Sequence, residues 1–87
     1  MVHEFPIQTA QQLSIHLRSL RRRLALTQAE LGTRLGVAQA RVGKIERNPG
    51  SISVEQLLQL LTALESELLV RAKATKARAT ATRKPVW

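Results

Sequence analysis

Leucine recurs along this chain at helical spacing. Leu13, Leu17, Leu20 and Leu24 fall at i, i+4, i+7 and i+11 and form one stripe, while Arg18, Arg21, Arg22 and Arg23 crowd the remaining faces. Thr9 with Gln12 makes a capping box at the start of that helix. A second, shorter helix is predicted from Gln28. Thr27 and Glu30 form a capping box before it, Leu31 and Leu35 share one of its faces, and Gly36 follows where a helix-ending residue takes positive φ at no steric cost. Val37 is then expected to bury in the corner, and a third helix from about Ala38 turns Val42 and Ile45 inward. Arg47-Asn48-Pro49-Gly50 is a turn cluster that stops it. Ser53 with Gln56 caps a fourth helix, whose Val54, Leu57, Leu58, Leu61 and Leu64 give a stripe that closes a core over the first. The fold class that follows is all-α.

Thr27 to Glu46 therefore reads as a helix-turn-helix. Gly32 supplies a side chain no larger than Ala near the crossing of the two helices, and the outer face of the second carries Gln39, Ala40, Arg41, Gly43 and Lys44. That face is the one that would enter a DNA major groove. Any αα-hairpin with a buried leucine face shares each feature singly; their joint placement at consistent spacing favours the helix-turn-helix.

The pattern changes at both ends. Residues 1–8 form a lead-in whose Phe5-Pro6-Ile7 favours extended backbone, because the residue before Pro avoids the α region. Its apolar residues could pack on the domain or pair with a partner's strand. Glu67, Leu68, Leu69, Val70 and Arg71 make a short apolar run bounded by charges, either a strand that pairs with its twin in a symmetric dimer or an extension of the fourth helix to about residue 73. The domain thus covers residues 9–71. Residues 72–87, AKATKARATATRKPVW, are a low-complexity basic tail that buries too little to offset the entropy of ordering and is expected to be flexible. Trp87 at its end is either an exposed terminus or an anchor for another protein.

Composition narrows the chemistry. The chain of 87 residues carries 14 Lys and Arg against 6 acidic residues, for a net charge of +8, which points to a polyanion such as nucleic acid. The Arg run of the first helix is either a solvated face or a set of phosphate contacts. A core this small gains from dimerisation. With no Cys, disulfides and thiolate metal sites are excluded, and a reducing cytoplasm suits the protein. No apolar run is long enough to span a bilayer, and the first residues have no secretory pattern, so no membrane partner is expected. His3 and His16 lie on different elements and the six Glu are dispersed, so no catalytic constellation, metal site or cofactor is predicted.

TQAELGTRLGV-Q resembles the core of Cro/C1-type phage repressors, over roughly residues 9–65, and the whole chain is similar to HipB-type antitoxins. The resemblance implies a lambda-repressor-like domain of four to five helices. It implies that Gln28 binds phosphate and that Gln39 reads adenine; Thr27, Arg22 and Arg34 are the further candidate phosphate contacts. Ala38, Ala40, Arg41 and Lys44 are the further base-facing positions, and Gly43 stands where the family usually has a polar residue. Arg21 is implied to pair with Glu46 and lock the first helix to the third. From the HipB likeness come a dimerisation strand at Glu67 to Arg71 and a tail whose Trp87 engages a toxin kinase.

The function these features favour is an antitoxin of a type II toxin-antitoxin operon, cytoplasmic and nucleoid-associated. As a homodimer it would repress its own operon on palindromic double-stranded operator DNA and hold a HipA-like Ser/Thr kinase toxin. A phage-type or housekeeping repressor without a toxin, and an interaction module that binds DNA only incidentally, are the alternatives.

Overall fold

Among the described residues, side-chain caps open three of the four helices. In the computed structural model, which describes residues 4–73, α1 spans Ala10–Arg23, α2 Gln28–Leu35, α3 Gln39–Arg47 and α4 Val54–Ala63, with a 3₁₀ turn at Pro49–Ser51 between α3 and α4. The Thr27 hydroxyl accepts from the Glu30 N–H at 3.0 Å while the Glu30 carboxylate accepts from the Thr27 N–H at 2.8 Å. Ser53 and Gln56 repeat the exchange at 3.0 and 3.1 Å. At α1 only half of the expected box forms. Thr9 accepts from the Gln12 N–H at 3.0 Å, but the Gln12 side chain accepts from the N–H of Gln8, at 2.6 Å, one residue further out. Nothing caps α3 at Ala38.

Three helices end in the same way. In a Schellman motif an N–H just past the helix end reaches back to the carbonyl five residues earlier, and the residue before it adopts left-handed backbone. Val37 donates to Gly32 at 2.9 Å around Gly36, at φ 76°. Leu26 donates to Arg21 at 3.2 Å around Ala25, at φ 57°, and Ser66 to Leu61 at 2.8 Å around Glu65, at φ 55°.

Leu17, Leu31, Val42, Ile45, Leu60, Leu61 and Leu64 are buried together, with Leu13, Leu20, Leu35, Ile52, Leu57 and Ala63 packed around them. The expected stripe of α4 is corrected here. Leu57, Leu60, Leu61 and Leu64 face inward, whereas Val54 and Leu58 are exposed. Adjacent leucine pairs at 57–58 and 60–61 satisfy either phase of the helix, and packing selects one. Val37 does not bury either; the turn leaves it half exposed at the rim of a notch shared with Leu35, Arg41, Ile45 and Leu60.

Beyond α4 the helical extension is overturned, because the left-handed Glu65 closes the helix. Residues 66–73 carry no regular structure, and Leu68, Leu69 and Val70 are exposed. Arg71 Nη1 donates to Glu4 Oε1 at 3.1 Å, and Phe5 stacks on His16 with ring centroids 4.5 Å apart, so the lead-in packs along α1 and meets the segment that leaves α4. The expected strand at Glu67 to Arg71 is thus not formed within one chain. The basic tail from residue 74 on, with Trp87, lies outside the described residues.

Candidate nucleic-acid interface

The crossing of α2 and α3 sets the site. A Cβ added to Gly32 would stand 2.6 Å from the Val37 carbonyl oxygen, a backbone atom that cannot swing aside, so the crossing accepts nothing larger than hydrogen. That is tighter than the limit of Ala expected from sequence. Over this crossing, Val42, Ile45 and Glu46 are the inward positions of α3 and Ala40, Lys44 and Arg47 the outward ones, with Gln39 at one margin.

Under the helix lies a chain of polar contacts. Glu46, only 2% exposed, receives Arg21 Nε at 2.6 Å and Arg21 Nη2 at 3.2 Å, a two-pronged pair across α1 and α3. The same guanidinium donates Nη1 to the Leu26 carbonyl at 2.9 Å, tying the α1–α2 turn into the contact. Arg18 Nε stands 3.9 Å from the same carboxylate. Gln28, the first residue of α2, donates Nε2 to Glu46 Oε1 at 3.0 Å and accepts from Gln39 Nε2 at 2.7 Å. Ser14 Oγ donates to the Glu46 carbonyl and holds the end of α3 against α1. Among the described residues no buried side-chain polar atom lacks a partner.

The expected site residues divide on this frame. Gln28 and Gln39 are brought together at the adjoining starts of α2 and α3, and Gln39 keeps its Oε1 and one Nε2 proton for an outside partner. Ala38, Ala40 and Lys44 are exposed, as are Thr27 and Arg22. Arg41 sits to one side, half-buried in the notch against Gln56 and Gln59 of α4. Arg34 is drawn elsewhere: its Nη1 donates to the Ala63 carbonyl at 3.0 Å and to Glu65 at 3.4 Å, where a cation complements the C-terminus of α4. Gly43 is buried rather than outward. A Cβ there would lie in ordinary contact with Arg47 Nη1 at 3.4 Å and the Gln28 amide at 3.5 Å, so a small side chain at this position would fit against those two residues.

Sequence reasoning overlooked Arg47 by assigning it to the turn. It is the last residue of α3 and exposed, and with Arg18 it lines an open cavity of about 420 Å³ between α1 and the Asn48-Pro49 turn. Its position three residues after Lys44 was the available signal, since that spacing keeps it on the outer face. Gln39, Ala40, Lys44 and Arg47 thus give α3 an exposed face of one amide, one methyl and two cations, and Arg22 is a further exposed cation on α1. Such a surface can lay an amide on a base edge and guanidinium or ammonium groups on phosphates.

The helix-turn-helix family model matches residues 17–70, more than half of the chain. Among solved structures, a HipB-O1-O2 complex is similar at 25% identity with a TM-score of 0.72, covering 79% of this chain and 100% of that one. A complex of a HipB variant with an O2 20mer gives 25% identity and a TM-score of 0.74, over 83% of this chain and 100% of that one. An MDT protein shares the fold at 24% identity and a TM-score of 0.73, over 82% of this chain and 100% of that one. No curated protein sequence matches the chain.

Proposed function

The chain belongs to the helix-turn-helix family, and from that premise we propose that it is a DNA-binding antitoxin that represses its own operon. The observation that carries the reading is the Gln28–Gln39 contact of 2.7 Å, which fixes a hydrogen-bonding amide at the start of a helix whose outer face bears Lys44 and Arg47. In this reading α3 lies in the major groove, Gln39 pairs with adenine, Ala40 meets a thymine methyl, and Lys44 donates to guanine. Arg22, Arg47, Thr27 and Gln28 hold phosphates.

The operator is palindromic because the protein acts as a dimer. Glu67 to Arg71 supplies the pairing segment: its Leu68, Leu69 and Val70 are exposed in the single chain, and an extended partner would give their backbone its hydrogen bonds. The further role in this reading is to restrain a HipA-like Ser/Thr kinase toxin, with Trp87 as the anchor and the basic tail touching DNA; the resemblance of the sequence to HipB-type antitoxins supports it.

Expression of the native operon, followed by affinity purification and footprinting upstream of the gene, tests the whole reading. A kinase-like protein retained by the wild type and lost with Trp87→Ala, together with a symmetric protected site, is the expected result. A symmetric site with no retained protein leaves a repressor without a toxin. Absence of any protected site overturns the DNA-binding reading.

A further inference from the structure

Gln39 has two ways to present its amide outward, and they read different bases. With Oε1 and one Nε2 proton outward it accepts from N6 and donates to N7 of adenine; with both Nε2 protons outward it donates twice and matches O6 and N7 of guanine. Rotation of the terminal amide interconverts the two, and the side chain's own shape does not choose between them.

The choice is made 3.0 Å behind Gln28. A carboxylate held by a guanidinium is an acceptor only, and Glu46 is buried against Arg21 with both oxygens engaged. The Gln28 amide facing Glu46 Oε1 must therefore present Nε2 to it, which leaves Gln28 Oε1 pointing at Gln39. An oxygen there demands a donor, so Gln39 turns Nε2 inward across 2.7 Å and keeps Oε1 outward. Each link is an acceptor calling for a donor, and the order cannot reverse with a carboxylate at its head.

We propose that Glu46 is a specificity-determining positioning residue: through Gln28 it fixes the polarity of the Gln39 amide and so selects adenine over guanine, from a place where it touches no DNA. The inference rests on the reading that Gln39 contacts a base. Glu46→Gln keeps shape but offers an amide that can donate or accept. Gln28 is then free to reverse, Gln39 with it, and the preference for adenine collapses. A merely structural Glu46 would weaken binding to every sequence alike.

The test uses the full-length protein and operators carrying each base pair at each half-site position, compared by competition binding. Gln39→Ala first locates the base pair it reads. At that pair, Glu46→Gln should lower the adenine-to-guanine preference by about fivefold or more, the lower end of what one bidentate contact discriminates, with preferences at other positions unchanged. Should Glu46→Gln fail to fold, Gln28→Met decides: it leaves the Arg21–Glu46 pair in place, removes the oxygen that orients Gln39, and is expected to lower the same ratio. If Gln39→Ala relaxes one position and neither variant that folds changes the ratio there, the relay is overturned while the base-reading role stands. If Gln39→Ala relaxes no position, the base-reading role itself falls and the relay with it.

Discussion

The Val37 carbonyl oxygen stands 2.6 Å from where a Cβ on Gly32 would lie, and that oxygen belongs to the turn through which α2 hands over to α3. The same turn is held by the Val37 N–H on the Gly32 carbonyl at 2.9 Å, so residues 32 and 37 are joined on one side and in close approach on the other. Gly32→Ala gains about 1 kcal/mol of helix propensity but forces the two helices apart. A net loss of about 1–2 kcal/mol, within the usual cost of overpacking, is expected in urea unfolding. An unchanged or raised midpoint would mean that the turn has slack the geometry does not show.

Ala25 tests the opposite case. It holds φ 57° at the end of α1, a conformation that costs an L-residue roughly 1–2 kcal/mol and glycine almost nothing. Part of that is offset by the greater entropy of glycine in the unfolded chain, about 0.5–1 kcal/mol. Ala25→Gly is therefore expected to stabilise the protein by about 0.5–1 kcal/mol, read as a rise in the thermal midpoint; a fall would show that the strain is relieved in some other way.

Removing the Glu46 side chain leaves Arg21, with its side chain only 12% exposed, without its counter-ion. The expected loss for Glu46→Ala is about 3–5 kcal/mol, the usual result of breaking one half of a buried pair. Replacing both residues by apolar ones of similar volume should cost clearly less than the sum of the single changes. A thermal shift within error of zero for Glu46→Ala would mean that the two side chains are solvated.

These positions show what the sequence makes visible. Thr27 with Glu30 and Ser53 with Gln56 mark helix starts to the residue, because a cap is local chemistry written in two side chains. Helix ends are less legible. Gly36 announces its turn, but Ala25 and Glu65 adopt the same left-handed backbone with no glycine to signal it, and for that reason α4 could be read as running on to residue 73. The pairing of Arg21 with Glu46 was available only through the family resemblance. The hydrogen bond from Gln28 to Glu46 was not available at all, since it depends on where the buried end of α3 meets the start of α2.

Arg47 was hidden by its neighbours in a turn-rich stretch, and its proposed role predicts a salt effect. If its guanidinium holds one phosphate, Arg47→Ala should weaken binding to all sequences and make the slope of log affinity against log salt shallower by about 0.9 per phosphate lost. Base preferences should stay as they are. A slope equal to that of the wild type would place Arg47 off the DNA.

The central claim is that the start of α3 reads sequence through Gln39, and operator selectivity of Gln39→Ala tests it most directly. Affinities for the operator and for a scrambled duplex, measured at one salt concentration for wild type and variant, give the selectivity ratio. The account predicts that the variant loses about 1–3 kcal/mol at one base pair per half-site, with binding to the scrambled duplex nearly unchanged. An identical ratio for the two proteins would contradict it.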